Sequence, residues 1–334
     1  MKIAVLGGGS WGTTVAHLCA QNADTLLWAR RDEVVDGINE RNENPRYLPG
    51  RPLTEALRAT GDLEEAASTA DVVILGVASA GFPTTLEAIE PMIGASTPIV
   101  SLAKGLDRES ARRMTELVEE RLPGRPVGVL SGPNLAKEVL DGHAAATVLS
   151  FRDVDTARDL QPLFATDLFR VYTNPDVVGC ELGGALKNVI AVAAGMAAGL
   201  GTGDNTLAAV ITRGLAELTR LGIAMGGDAQ TFAGLAGMGD LVATCMSPQS
   251  RNRSVGYELG QGRTLDDIIE NLGQVAEGVK SAPVVAALGR THGVELPICD
   301  EVCAVVEEGR SAEEAYRGLL RRPQQGEITR RPTD

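Results

Sequence analysis

Five of the 31 basic residues in this 334-residue chain are lysines, Lys2, Lys104, Lys137, Lys187 and Lys280, so a lysine is a rare choice here. Two of them interrupt stretches where a surface charge is out of place. Lys104 stands in Ser101-Leu-Ala-Lys-Gly-Leu106, just past a strand-like run, and Lys187 stands inside Leu182-Gly-Gly-Ala-Leu-Lys-Asn-Val-Ile190. An amine in an apolar helix loses hydration, which lowers its pKa toward neutrality and suits it to exchange a proton with a carbonyl or hydroxyl oxygen. Arginine does not titrate in that role. The alternative for Lys187 is a helix residue that snorkels its ammonium to the surface.

A second constellation is Gly7-Gly8-Gly9-Ser10-Trp11-Gly12, which follows a β-branched run and opens a helix over about Thr13 to Gln21. It satisfies G-x-G-x-x-G. Gly7 permits the tight turn, Gly9 lets backbone amides reach a pyrophosphate, and Gly12 lets the helix lie close on the sheet. The helix N-terminus then faces the phosphates. Alone the string is a weak signal, but its strand-loop-helix setting points to a dinucleotide. Arg30 and Arg31 stand about 20 residues past the loop, where an NAD-selective fold places an acid. Arginine there pairs with a 2′-phosphate, which favours NADPH or NADP without excluding NADH or NAD. The alternative is two solvated arginines paired with Asp32 or Glu33.

These groups need a scaffold, and its class is legible. Short apolar runs at Lys2–Leu6, Thr25–Trp28, Asp71–Leu75, Pro98–Leu102 and Val127–Leu130 alternate with helical lengths. That pattern predicts an α/β fold: an N-terminal Rossmann-type doubly wound, parallel sheet, closed by strands at Ala146–Ser150 and Phe169–Tyr172. After about Asn174 the strand signals vanish into Ala/Leu/Gly segments of helical spacing, which predicts a C-terminal all-helical domain with close helix-to-helix approach. We expect a dinucleotide-binding domain over 1–175, a helical substrate and catalytic domain over 176–322, and a frayed Pro- and Arg-rich tail over 323–334.

Composition narrows the partners. A net charge of −13 argues against a nucleic-acid surface or an anionic membrane, so an anionic small molecule needs locally gathered basic residues. The five cysteines are scattered, with no C-x-x-C pair and no metal-ligand spacing to the three histidines, which fits a reduced cytoplasm and no metal. No secretory pattern opens the chain, and the Ala-rich run Val189–Leu200 is too short to span a bilayer. A homodimer stays open.

The ordered blocks Gly7–Gly12, Ala103-Lys-Gly-Leu106, Ser131-Gly-Pro-Asn-Leu-Ala-Lys-Glu138, Gly184-Ala-Leu-Lys-Asn-Val-Ile190, Ile211-Thr-Arg-Gly-Leu-Ala-Glu217, Gly234-Leu-Ala-Gly-Met-Gly-Asp-Leu241, Ser250-Arg-Asn-Arg253 and Gln274-Val-Ala-Glu-Gly278 together resemble bacterial NAD(P)-dependent glycerol-3-phosphate dehydrogenase. The likeness runs from residue 1 to about 320. It implies reversible hydride transfer between NAD(P)H and dihydroxyacetone phosphate, which supplies glycerol 3-phosphate for phospholipid synthesis. It also implies Lys187 as general acid/base, Lys104 and Asp240 near the reacting hydroxyl, and Asn188 as a helper. Ser250, Arg251 and Asn252 would hold the substrate phosphate, joined by Gly132 and Asn134; the family usually carries Ser or Thr at position 134. For the cofactor it implies Ser10, Trp11, Arg30, Arg31, Lys104, Ala136, Arg251, Val275 and Glu277.

The residues agree on their own terms. Ser250-Arg251-Asn252 follows Pro248 and reads as a helix start, where free amides and a guanidinium make a phosphate cradle. Asp240 reads as part of a Gly-rich turn, able to anchor a lysine or a substrate hydroxyl. A capping Ser and a turn Asp are the bland alternatives. Two rivals remain at this level: a dehydrogenase of the same plan acting on a 3-hydroxy acid or sugar acid, and a non-catalytic NADP(H)-sensing protein. The Ser-Arg-Asn block and the Gly-Met-Gly-Asp segment speak for a small phosphorylated polyol.

Overall fold

The computed structural model describes residues 1–272 and 276–321. Gln274 and Val275, and the tail at 323–334, lie outside the described residues. Eight strands, β1 (Lys2–Leu6), β2 (Asp24–Trp28), β3 (Arg58–Thr60), β4 (Val72–Leu75), β5 (Ile99–Ser101), β6 (Val127–Ser131), β7 (Ala145–Phe151) and β8 (Phe169–Asn174), form one sheet in the order β3-β2-β1-β4-β5-β6-β7-β8. The first six follow the doubly wound Rossmann order, whose switch point lies between β1 and β4. Ligands bind such sheets at the carboxyl ends of the strands beside that point.

Two features differ from the expectation. Strand β7 runs antiparallel to β6, with Gly128 opposite Phe151 and Ser131 opposite Val148. A parallel return needs a long crossover. The connection over residues 132–144 holds one five-residue helix, so the chain doubles back instead. Strand β3 has only Arg-Ala-Thr to mark it and pairs at the sheet edge with β2.

The helices of the sheet region are α1 (Ser10–Ala20), α2 (Asp32–Arg41), α3 (Leu63–Ala67), α4 (Phe82–Ile89), α5 (Met114–Arg121), α6 (Ala136–Leu140) and α7 (Val154–Phe164). Side chains of α1, α2 and α7 bury one sheet face, and those of α3, α4 and α5 bury the other. Helix α1 begins at Ser10, three residues before the expected Thr13, because Gly9 already serves as its N-cap.

The helical region comprises α8 (Val177–Gly199), α9 (Asp204–Ala224), α10 (Ala229–Ala233), α11 (Asp240–Met246), α12 (Arg251–Gly260), α13 (Leu265–Leu272), α14 (Glu277–Thr291), α15 (Pro297–Glu308) and α16 (Ala312–Leu320). Among the described residues no strand follows Asn174. Helix α8 is buried on every side and mostly apolar, as a helix surrounded by others must be. Asp176 caps it by accepting from the Gly179 amide at 2.8 Å, a contact worth about 1 kcal/mol. The run Val189–Leu200 belongs mostly to this longer helix, whose 23 residues are long and apolar enough to cross a bilayer, but 94% of its most apolar 18-residue stretch, of mean hydropathy 1.5, is buried inside the protein. It is a core helix.

Helices α8 and α12 touch main chain to main chain. A Cβ on Gly195 would fall 2.2 Å from the Arg253 carbonyl oxygen, and one on Gly256 would fall 2.0 Å from that of Val192. Gly199 and Gly260 repeat the arrangement one turn on. Small residues four apart on both helices allow this approach.

Candidate active site

The loop after β1 is built for close approach. Gly7 has φ +132°, and a Cβ there would lie 2.6 Å from the carbonyl carbon of Gly76, which follows β4. A Cβ on Gly12 would sit 2.0 Å from the Gly7 oxygen. No atom lies within 4 Å of a Cβ built on Gly9, so the space beside the first turn of α1 is open. First-turn amides have no intrahelical acceptor, and they border that space. A dinucleotide pyrophosphate therefore fits the residues present.

Ser10 opens α1 and its hydroxyl donates to the Tyr47 carbonyl at 3.3 Å. The Trp11 ring packs 6.2 Å from Phe169, and its indole N–H is buried without a protein partner. Arg30 and Arg31 are exposed just past β2, with Arg31 at the N-cap of α2. The alternative pairing with Asp32 or Glu33 does not form: among the described residues neither arginine makes an ion pair, and Glu33 meets Arg46 at 3.7 Å instead.

The loop after β5 carries Lys104, whose ammonium donates to the Gly132 carbonyl at 2.7 Å and to Asp240 Oδ2 at 2.8 Å. Burial pulls the Lys104 pKa down to about 8; Asp240 opposes the fall and the nearby Lys187 adds to it. Lys187 projects from α8, only 4% exposed, and so does not snorkel. Its Nζ lies 3.1 Å from Asp240 Oδ1 and donates to Thr244 Oγ1 at 2.5 Å. One carboxylate thus joins two lysines, one from the sheet region and one from the helical region.

Asp240 is not in a turn. Leu235–Gly239 is a π-helical segment, and Asp240 is the first residue of α11, 2% exposed. Thr244 lies one turn on, on the same helix face, and donates to the Asp240 carbonyl at 2.7 Å. Sequence reasoning missed Thr244, although a Thr four residues after the Asp was a readable signal.

Asn188 follows Lys187 and donates to the Lys104 carbonyl at 2.8 Å. Its Oδ1 accepts from Asn252 Nδ2 at 2.8 Å, while Asn252 Oδ1 accepts from the Gly278 amide at 2.8 Å. The two amides chain the Lys104 loop to α8, α12 and α14, so their side chains brace the site. Ser250 is a true N-cap, accepting from the Arg253 amide at 3.2 Å, and exposed Arg251 is the first residue of α12. The sequence expectation of a helix start after Pro248 matches this geometry.

Gly132 has φ +150° and holds Lys104 through its carbonyl. Asn134 donates to Thr147 Oγ1 at 3.3 Å, and its Oδ1 is buried without a protein partner. Ala136 is the half-buried first residue of α6. Glu277 opens α14 and accepts from the Ser79 hydroxyl at 2.5 Å. Lys104, Gly132, Lys187, Asn188, Asp240, Asn252 and Glu277 therefore meet where the two regions join, whereas Arg30 and Arg31 stand apart near Gly8.

A buried ion pair fastens that junction. Arg113, at the start of α5, meets Glu181 of α8 at 3.1 Å, and Glu181 Oε1 accepts from the Thr115 amide at 3.0 Å. Burial raises the Glu181 pKa and Arg113 counters it. Nothing in the sequence paired residues 68 apart.

A glycine-loop sheet whose carboxyl edge meets a lysine-bearing helical region defines a dinucleotide-dependent dehydrogenase. Residues 2–157 match the N-terminal family of NAD-dependent glycerol-3-phosphate dehydrogenase, and residues 176–317 match its C-terminal family. A Sphingopyxis alaskensis protein named glycerol-3-phosphate dehydrogenase [NAD(P)+] 2 is 57% identical over 321 residues, 96% of each chain. A Mycobacterium avium protein named glycerol-3-phosphate dehydrogenase [NAD(P)+] is 53% identical, covering 96% of this chain and 94% of that one. The crystal structure of glycerol-3-phosphate dehydrogenase from Coxiella burnetii superposes with a TM-score of 0.91 at 38% identity, over 96% of this chain and 99% of that one. The chain belongs to the NAD-dependent glycerol-3-phosphate dehydrogenase family of oxidoreductases.

Proposed function

We propose that this chain interconverts dihydroxyacetone phosphate and sn-glycerol 3-phosphate with NAD(P)(H), and that in the cell it supplies glycerol 3-phosphate for lipid synthesis in the cytoplasm. The observation that carries the reading is the buried Lys104–Asp240–Lys187 chain, at 2.8 and 3.1 Å, beside the open face of the glycine loop. A dinucleotide-binding domain over 1–175 and a helical domain over 176–322 would divide the labour.

A nicotinamide dinucleotide held at the glycine loop would supply the hydride for C2. Lys187 donates a proton to the C2 oxygen as negative charge develops there, and takes it back in the reverse direction. Asp240 holds Lys187 and Lys104 on opposite oxygens, so both amines stay aimed. Lys104 adds a second positive charge in a site largely shielded from water, where developing alkoxide charge is most strongly stabilised. Asn188 fixes the Lys104 main chain. Arg251 and the first amides of α12 grip the phosphate, with Ser250 capping and Asn252 bracing that helix end, and Gly132 and Asn134 border the opposite side. Ser10, Trp11, Ala136, Val275 and Glu277 serve the cofactor, and Arg30 with Arg31 favours NADPH.

Initial rates of dihydroxyacetone phosphate reduction with NADPH and with NADH test the reading. Turnover with both, faster at low concentration with NADPH, is expected. No turnover with either refutes it.

A further inference from the structure

The segment after α2 is laced along the glycine loop. Asn44, fully buried, donates to the Gly8 carbonyl at 3.0 Å and to Thr13 Oγ1 at 2.8 Å, and its Oδ1 accepts from the Tyr47 amide at 3.1 Å. The Ser10 hydroxyl adds a bond to the Tyr47 carbonyl. These contacts set Arg46 beside the loop. Gly8 in turn lies against the end of β2, since a Cβ there would meet the Ala29 Cβ at 2.7 Å and Val34 Cγ1 at 3.1 Å. Arg46 lies 5.6 Å from the centre of the Tyr47 ring and reaches Glu33 Oε2 at 3.7 Å. Glu33 belongs to the first turn of α2, two residues past Arg31. Arg46 thus stands beside the first turn of α2, where Arg31 is the N-cap and Arg30 precedes it.

We propose that Arg46 is a third arginine of the cofactor 2′-phosphate site, held ready by Glu33, and that this pair helps set the preference for a 2′-phosphorylated dinucleotide. The inference rests on the proposed role of Arg30 and Arg31 in favouring NADPH. At 3.7 Å, with side chains 40% and 55% exposed, the Arg46–Glu33 contact is a weak surface pair. A phosphate dianion offers Arg46 charge-assisted, two-pronged bonds and displaces the glutamate readily. Glu33 left alone would repel that phosphate, so Arg46 both neutralises the acid and supplies a donor. NADH presents only a hydroxyl at this position and gains little from the exchange.

Titration calorimetry on the full chain with adenosine 2′,5′-bisphosphate and with 5′-AMP isolates the 2′-phosphate. Arg46→Leu is expected to weaken the bisphosphate about three- to tenfold and to leave 5′-AMP within about twofold. Glu33→Gln is expected to tighten the bisphosphate about twofold or more, an opposite sign that general damage does not produce. Where Arg46→Leu lowers stability, Arg46→Gln applies the same test. Equal losses for both ligands, no loss for either, or weaker bisphosphate binding in Glu33→Gln overturns the proposal. A parent that binds both ligands alike ends the NADPH reading as well. A parent that prefers the bisphosphate through Arg30 and Arg31 alone ends only the assignment of Arg46.

Discussion

Asp240→Asn probes the centre of the site. The carboxylate contacts both lysines, at 2.8 and 3.1 Å, and its charge is among the causes that keep the Lys104 pKa from falling below about 8. An opposite charge this close moves a neighbouring pKa by about 1–3. Losing it, with Lys187 still beside it, lowers the Lys104 pKa further, well below 8. Activity should follow: the alkaline fall in kcat/KM for ketone reduction, near pH 8 in the parent, should move to lower pH by about 1–3 as Lys104 gives up its charge earlier. Stability supplies an independent readout. Because the folded pKa lies below the unfolded value of about 10.4, the unfolded chain holds the extra proton between them, and stability rises with pH across that window. The window opens near 8 in the parent and well below that in the variant. Lowering the pH of both samples from about 8 to about 6.5 should therefore leave this contribution nearly unchanged in the parent and remove about 1–2 kcal/mol from the variant, read as a falling Tm. A variant with its alkaline limb still near 8 and a Tm deficit independent of pH would refute the coupling.

Four further outcomes are expected. Lys187→Met should lower kcat about 10²- to 10⁴-fold with cofactor affinity nearly unchanged, and more than half the parent rate removes Lys187 as the acid. Arg30→Asp with Arg31→Ser should weaken NADPH by roughly 1.5–3 kcal/mol and spare NADH; equal losses would place these arginines in the fold or at the pyrophosphate. Arg251→Lys keeps the charge and loses the fork, so KM should rise and kcat fall for dihydroxyacetone phosphate far more than for unphosphorylated dihydroxyacetone; equal effects take Arg251 out of the phosphate site. Glu181→Ala takes one of two carboxylates from buried Arg113, which keeps Glu116 at 3.0 Å, and should cost about 1–3 kcal/mol in denaturant unfolding, whereas a loss under about 0.5 kcal/mol would show the pair to be solvated.

What was legible in the sequence followed from local chemistry. Strand β1, the glycine loop and the buried Lys187 each announce themselves within a dozen residues, because apolar runs, close-approach glycines and a charge in an apolar helix all depart from what a solvated segment carries. The ordered family blocks carried the rest of the site. Strand β3 was invisible because three edge residues need no apolar run, and the reversal of β7 because an apolar strand reads alike in both directions. Partnerships across the chain were also hidden. Asn188 and Asn252 look like ligand-binding amides, yet each is engaged by the other and by distant main chain.

The backbone contact between α8 and α12 acts as a ruler. With four glycines letting carbonyl meet Cα, no side chain is left to swell or shrink between the helices. The span from Lys187 on one helix to Arg251 at the head of the other is therefore fixed by the chain itself. On the roles proposed for Lys187 and Arg251, tolerance for a phosphate one carbon farther from the reacting carbon is not a matter of carving the pocket lining; it requires sliding α12 by part of a turn, against all four glycines at once.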